Sequence, residues 1–181
     1  MVVTSTSQTQ VLLLVEDNPA DADLVEELLE LAGDNRYTIV RATRISDAVE
    51  KLNSQRVDVV LLDLRLPDGT GLSTLQSIRA TDQQIPIVVL TGIDDELLVM
   101  SCINAGAQDY LCKGELRPAS LRRAIGYAIT RIREVQFREM QETLTRYRNL
   151  SNQTSQTSVT AALAGTGAVR DRHGGMFTDL I

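Results

Sequence analysis

This 181-residue chain lacks the features that several protein classes require. Its two cysteines and single histidine cannot supply a disulfide framework or a zinc site. Its longest apolar run, at 57–62, contains Asp58 and is far shorter than the roughly 20 residues of a membrane helix. The N-terminus has no basic region and no apolar stretch, so we expect no signal peptide. We therefore expect a soluble, cytoplasmic protein without membrane contact.

The single histidine and the two cysteines are most simply interpreted as residues without a catalytic role. His173 lies in an Arg-His-Gly-Gly sequence typical of a loop, without the helical setting of a phosphohistidine. Cys102 and Cys112 are typical of small buried side chains. A redox role for Cys112, which the neighbouring Lys113 would assist, is the less favoured alternative.

The net charge of −6 is unevenly distributed. Residues 1–115 carry 19 acidic and 8 basic groups, whereas residues 116–150 carry 8 arginines and 3 glutamates. An acidic body argues against general nucleic-acid binding, and no helix-turn-helix pattern follows it. The basic stretch is either a solvated helix face, which we favour, or a partner surface.

Short apolar runs alternate five times with amphipathic segments. Asn18 before Pro19 is typical of a helix cap, Ser46 is a second candidate cap and Asp94 a third. The alternation predicts an α/β fold, with a parallel sheet covered by helices on both faces. The predicted strands span 11–15, 37–42, 57–62, 85–90 and 109–111.

Polar side chains follow four of these strands. Glu16 and Asp17 follow the first, Asp63 ends the third, Thr91 ends the fourth and Lys113 follows the fifth. Because parallel strands end at one sheet edge, we expect these residues to converge there. Three carboxylates repel one another unless a cation compensates, and both Mg²⁺ and Lys113 suit that role.

This set suits phosphoryl transfer to a carboxylate. Asp63 would be the nucleophile that forms an acyl phosphate. Asp17 would hold Mg²⁺ directly, and Glu16 directly or through water. Lys113 and the Thr91 hydroxyl would each contact a phosphoryl oxygen.

Four segments together resemble the receiver domain of two-component response regulators. They are LLLVEDN at 12–18, VVLLDLRLPDGTG at 59–71, PIVVLTG at 86–92 and AGAQDYLCKGE at 105–115. The resemblance implies a flavodoxin-like (βα)5 fold, doubly wound, with strand order 2-1-3-4-5. It also implies phosphorylation by a histidine kinase or a phosphotransfer protein.

The resemblance assigns two further roles and includes one departure. The backbone carbonyl of Arg65 would complete the Mg²⁺ shell, and Tyr110 would be the aromatic switch residue, although it is as readily a plain strand residue. Most receivers have proline after the lysine, but Gly114 stands here. Glycine permits unusual backbone angles, so we expect a changed loop geometry and unchanged chemistry.

The sequence beyond the receiver predicts a long final helix. After Pro118, residues 119–150 contain no breaker except Gly126, and Leu121, Ile125, Ala128 and Ile132 should pack on the sheet. Beyond these, four apolar residues recur at spacings of 3, 4 and 3 and predict an association surface for a homodimer or an output unit, with a frayed tail as the alternative. They are Phe137, Met140, Leu144 and Tyr147.

The predicted organisation has four parts. Residues 1–10 form a disordered tail, 11–128 the receiver, 129–150 the helical extension, and 151–181 a flexible linker with a partial C-terminal segment. We expect the chain to be a piece of a longer protein.

We predict a phospho-accepting, Mg²⁺-dependent switch of protein–protein interactions. It would not be an enzyme, although it would take part in its own phosphorylation and dephosphorylation. One alternative is a pseudo-receiver that binds or dimerises without phosphorylation. Another is a hydrolase of the dehalogenase type, which the Glu16–Asn18 sequence disfavours because such enzymes carry Asp-x-Asp after the first strand.

Overall fold

The computed structural model describes residues 9–33, 36–92 and 96–164, with only the backbone path for Glu96 and 151–164. Five strands form the main sheet: β1 (Gln10–Val15), β2 (Tyr37–Ala42), β3 (Val59–Asp63), β4 (Ile87–Thr91) and β5 (Asp109–Cys112). The helices are α1 (Pro19–Leu31), α2 (Ile45–Ser54), α3 (Leu72–Thr81), α4 (Glu96–Asn104) and α5 (Pro118–Ala164). A two-residue-per-strand hairpin at 65–70 follows β3.

The sheet is parallel with the order β2-β1-β3-β4-β5, which confirms the predicted topology. The central strand β3 is buried along its whole length. Its residues alternate between the two faces, as the two-residue period of a strand requires. Val60 and Leu62 pack with α2, α3 and α4 on one face, and Val59 and Leu61 pack with α1 and α5 on the other.

Helix α1 begins as the sequence predicts, but α2 does not. The Asn18 carboxamide oxygen accepts from the backbone N–H of Ala20 at 3.0 Å, with Pro19 in the first turn. Ser46 is not the cap of α2, because that helix begins at Ile45. The Asp68 carboxylate, from the hairpin turn, accepts the N–H groups of Ile45 and Ser46 instead.

Two predicted strands start two residues too early. Pro86 has no N–H for the ladder, so β4 begins at Ile87. At β3, the Asp58 side chain accepts the Val11 N–H that a backbone carbonyl would otherwise take, and the strand begins at Val59. Gln10 belongs to β1 rather than to a disordered tail, because it pairs with Tyr37.

Helix α5 is longer than predicted. It continues to Ala164, so the prediction of a flexible linker from 151 is wrong for 151–164. Between Tyr127 and Ala164 the sequence contains no glycine or proline, and its serines, threonines and glutamines are only mildly unfavourable in a helix. The predicted core residues Leu121, Ile125 and Ala128 are buried.

The chain divides into two compact units, 1–135 and 136–181. Within the second unit, Phe137, Met140, Leu144 and Tyr147 are exposed, and the partner predicted for them is untested. The predictions for residues 1–8, Asp94, His173 and the segment 165–181 lie outside the described residues. In the part that the structure describes, each helix is either too short or too polar to cross a lipid bilayer.

Candidate functional site

The strand ends converge as the parallel sheet requires. Asp63 at the end of β3 pairs in register with Leu90, the residue before Thr91. Thr91 in turn pairs with Cys112, the residue before Lys113. The structure therefore brings the polar residues that end β3 and β4 or follow β1 and β5 to one edge, where Glu16, Asp63 and Thr91 are buried.

Lys113 is the centre of this cluster. Its ammonium nitrogen lies 2.8 Å from Asp63 Oδ2, 2.5 Å from Glu16 Oε2 and 2.9 Å from Asp21 Oδ2. The contact with Glu16 is an ion pair without hydrogen-bond alignment, since Oε2 has no hydrogen-bond partner. The second oxygen of Asp63 accepts the Arg65 N–H at 3.0 Å, and Glu16 Oε1 accepts the Asn18 N–H at 3.2 Å.

Burial and the contacts between Lys113 and the carboxylates shift the pKa values of these groups in opposite directions. Burial raises the pKa of Glu16, and the nearby Asp63 raises it further, while the Lys113 ammonium lowers it. Burial alone would lower the pKa of Lys113, but its contacts with Asp63, Glu16 and Asp21 outweigh burial and raise it. The ammonium is therefore held in its charged form.

Asp21 is a site residue that the sequence analysis missed. It lies in the first turn of α1, and its side chain is partly exposed. The available signal was an acidic residue in the first turn of the helix that directly follows Glu16 and Asp17. The site thus holds four carboxylates against one lysine.

The oxygens of Glu16, Asp17 and Asp63 fit a divalent cation. One carboxylate oxygen of each lies within 4.8 Å of the others, with Asp17 exposed and the other two buried. Carboxylate oxygens are the ligands that Mg²⁺ prefers, and the excess of negative charge favours binding of a cation. The donor set therefore fits Mg²⁺, which is the cofactor that the sequence predicts.

Arg65 follows Asp63 by two residues, and Tyr110 lies within β5, three residues before Lys113. The Arg65 guanidinium lies against Gly92, where a Cβ would come within 2.7 Å of its Nη2. Tyr110 pairs in register with Val89, and 45% of its surface is exposed. Whether the Arg65 carbonyl binds metal and whether Tyr110 switches both stay predictions.

Gly114 and the cysteines have local structural roles. Residues Lys113–Glu115 form one 3-10 turn, and positive φ angles occur at Gly33, Gly71 and Gly106 rather than at Gly114. The backbone freedom that Gly114 offers is therefore not used. Cys102 is buried, which raises the pKa of its thiol, and Cys112 is half-buried.

Comparisons with known proteins agree with this fold and site. The sequence model of the response regulator receiver domain matches residues 12–126. The swarming motility regulation protein RssB of Serratia marcescens is 41% identical over 102 residues, which are 56% of this chain and 45% of RssB. The regulatory protein VanR of Enterococcus faecium is 36% identical over 110 residues, which are 61% of this chain and 46% of VanR.

Solved structures show the same similarity. The receiver domain of the sensor histidine kinase PA1611 from Pseudomonas aeruginosa PAO1, with a magnesium ion in its active-site cleft, is 34% identical with a TM-score of 0.57. The similarity covers 67% of this chain and 98% of that one. The signal receiver domain of an HD domain-containing protein from Pseudomonas fluorescens Pf-5 is 25% identical with a TM-score of 0.65, covering 76% of this chain and 99% of that one.

The chain therefore belongs to the response regulator receiver domain family of two-component signal transduction. It spans less than half the length of the two curated relatives described above.

Magnesium should stabilise the folded chain. Saturating MgCl₂ is expected to raise the melting temperature, because a ligand that binds only the native state at 100 times its Kd adds about 2.7 kcal/mol. In Asp17→Asn the rise should shrink, since one carboxylate ligand is lost. Glu27→Gln removes an exposed charge from α1 outside the cluster and should keep the full rise. An equal rise in all three proteins, measured by calorimetry, would place the metal elsewhere.

Alkaline pH should weaken the stabilisation that Lys113 provides. Its pKa is raised above the ordinary 10.5, so its contribution is complete below pH 10.5 and declines as the pH rises beyond that value. Urea unfolding of wild type and Lys113→Met should show a difference in unfolding free energy that narrows above pH 10.5. Lys51→Met, at the surface pair with Asp47, is the matched control and should show a much smaller change. A difference for Lys113 that is independent of pH would contradict the contacts described here.

Proposed function

We propose that this chain accepts a phosphoryl group on Asp63 from a histidine kinase or a phosphotransfer protein, in a Mg²⁺-dependent reaction, and thereby switches its protein contacts. One observation carries the proposal. The Asp63 carboxylate is only 4% exposed, yet it lies at the open sheet edge between the Arg65 N–H and the Lys113 ammonium. A buried carboxylate with donors on both oxygens is positioned as a reactant.

The chemical step exchanges one bond to phosphorus for another. An Asp63 carboxylate oxygen forms a bond to phosphorus while the bond from phosphorus to the donor breaks, and the electron pair leaves with the donor. The product is an acyl phosphate on Asp63. Lys113, already 2.8 Å from Asp63 Oδ2, would pair with a phosphoryl oxygen, and the Thr91 hydroxyl would donate to another.

Glu16, Asp17, Asp63 and the Arg65 carbonyl would hold Mg²⁺. The bound metal offsets negative charge on the transferring phosphoryl group. Lys113 would keep Glu16 and Asp63 oriented for this purpose through its two contacts.

The switch would begin with a change of charge at Asp63. Phosphorylation turns a carboxylate into a larger dianionic group, which would attract the Thr91 hydroxyl and draw Thr91 inward. Tyr110, on the neighbouring strand β5, would then change its side-chain conformation. Such a change is a shift between two populated states.

The exposed residues Phe137, Met140, Leu144 and Tyr147 would form the association surface. Their spacing of 3, 4 and 3 is that of a coiled-coil seam, and within the second unit nothing described covers them. A second copy or an output unit would bind there. The cytoplasmic location, the lack of enzymatic turnover and the class of the phosphoryl donor stay predictions.

Phosphorylation can be measured directly by intact mass after incubation with Mg²⁺ and a small acyl phosphate donor. We expect a gain of one phosphoryl group that hydroxylamine removes, because acyl phosphates react with it. Asp63→Asn should gain none. Asp23→Asn, a surface aspartate paired with Arg41, should gain as much as wild type.

The other outcomes separate the alternatives. Phosphorylation that persists in Asp63→Asn would move the acceptor to another residue. No phosphorylation by either the donor or a set of purified histidine kinases, together with no Mg²⁺ binding, would replace this proposal by a pseudo-receiver.

A further inference from the structure

Asp21 contacts Lys113 but has no part in the phosphoryl transfer proposed above. Its Oδ2 atom accepts a hydrogen bond from the Lys113 ammonium at 2.9 Å, although 92 positions separate the two residues in the sequence. Asp21 is also not one of the three carboxylates whose oxygens converge closely enough to hold a metal ion together. Its contact with Lys113 therefore needs a separate explanation.

Helix capping does not account for the direction of the Asp21 side chain. An acidic side chain at the third position of a helix can accept the N–H of the residue before the helix. In this chain that N–H belongs to Asn18, and it donates to Glu16 Oε1 at 3.2 Å instead. The local role left to Asp21 is the favourable effect of a negative charge near the start of α1.

The Lys113 ammonium is surrounded by as many carboxylate oxygens as it has hydrogens. Oxygens of Glu16, Asp21 and Asp63 all lie within 3 Å of its nitrogen. An ammonium group has three N–H donors, and here each faces one of these oxygens or lies close to it. A phosphoryl oxygen that pairs with Lys113 must therefore displace one of the three carboxylates.

Asp21 is the partner that leaves Lys113 at the lowest cost. The side chains of Glu16 and Asp63 are only 1% and 5% exposed, so a loss of the ammonium would leave an uncompensated charge in the interior. The Asp21 side chain is 35% exposed, and water can solvate its carboxylate once the contact is broken. Displacement of Asp21 also leaves both buried contacts in place while the phosphoryl group arrives.

We propose that Asp21 is a positioning residue that holds the Lys113 ammonium in the unphosphorylated chain and competes for it with the incoming phosphoryl group. The inference rests on the proposed phosphorylation of Asp63 and adds a residue that limits its rate. No proton moves, because the ammonium exchanges one anionic partner for another. The contact with Asp21 stabilises the unphosphorylated state, so loss of the Asp21 charge makes phosphorylation faster.

The test compares phosphorylation rates of the full chain in saturating Mg²⁺ with two small donors, acetyl phosphate and phosphoramidate. Asp21→Asn keeps a side chain of the same shape without the charge. It should raise the second-order rate constant about fivefold with either donor, which is the size expected for a partly exposed ion pair. Asp21→Glu keeps a carboxylate within reach of Lys113 and should phosphorylate at a rate close to that of wild type. Glu27→Gln removes the same charge from an exposed position of α1 and should match wild type.

A merely structural role of Asp21 would give the opposite result. A variant that loosens α1 or the site should be phosphorylated more slowly, and its melting temperature should fall. Asp21→Asn should instead react faster, with a fall in melting temperature of no more than about 4 °C, the loss expected from the helix dipole alone.

An equilibrium measurement separates this effect from the chemistry of the donor. Beryllium trifluoride bonds to a carboxylate oxygen in the place of a phosphoryl group and needs no leaving group. With Mg²⁺ present, Asp21→Asn should bind it about fivefold more tightly than wild type, because the Lys113 ammonium no longer has to be released. Binding can be followed by fluorine NMR.

An unchanged or lower rate in Asp21→Asn would overturn the inference, and so would an equal gain in Glu27→Gln. A gain confined to acetyl phosphate would also overturn it. That donor carries two negative charges at neutral pH and phosphoramidate carries one, so such a gain would indicate simple repulsion of the donor.

The two proposals fail in different ways. If neither donor phosphorylates the wild type or any variant, the result counts against phosphorylation of Asp63. The beryllium trifluoride comparison then decides the inference on Asp21, and equal binding by wild type and Asp21→Asn would overturn it. If all of the proteins are phosphorylated at the same rate, Asp63 remains the acceptor and only the role of Asp21 is wrong.

Discussion

The ammonium group of Lys113 holds together carboxylates from three parts of the chain. Glu16 follows β1, Asp21 lies in the first turn of α1 and Asp63 ends β3, yet all three carboxylates lie within 3 Å of one nitrogen atom. Removing one partner from a buried ion pair costs about 3–5 kcal/mol, because the remaining charge is left uncompensated. The geometry of the sheet edge therefore depends on this lysine.

One lysine does not neutralise four carboxylates. Glu16, Asp17, Asp21 and Asp63 leave an excess of three negative charges at the site, and the raised pKa of Glu16 reflects both its burial and its proximity to Asp63. The excess charge attracts a divalent cation to the oxygens of Glu16, Asp17 and Asp63. The buried carboxylates therefore destabilise the folded chain by their mutual repulsion, and the same negative charge favours the binding of a metal ion.

The sequence predicted most of the fold because its signals are local. Short apolar strands, the Asn18 cap and the regular βα alternation each depend on neighbouring residues. The strand order was implied by the resemblance to receivers, which four motif segments carry. Five site residues, Glu16, Asp17, Asp63, Thr91 and Lys113, were predictable because they end strands or immediately follow them. Asp21 was not predictable in this way, because its contact with Lys113 joins two residues that lie 92 positions apart in the sequence.

The wrong predictions also arose from reliance on local signals. Ser46 appeared to be a cap from its position alone, but the N–H groups of α2 are taken by Asp68, 22 residues away in sequence from Ser46. The extension of α5 beyond 150 was missed because Gln, Ser and Thr are common in linkers, although they also continue a helix when no breaker intervenes.

The most direct test of this account is a double-mutant cycle between Lys113 and Asp63, measured as unfolding free energy in urea without metal. We predict that Lys113→Met alone destabilises the chain by about 3–5 kcal/mol, because it removes the positive charge that offsets the repulsion between the buried carboxylates. Adding Asp63→Asn to that variant should recover a large part of the loss. If Lys113→Met leaves the stability unchanged, or if the two effects simply add, the lysine does not hold the site together and the central claim is wrong.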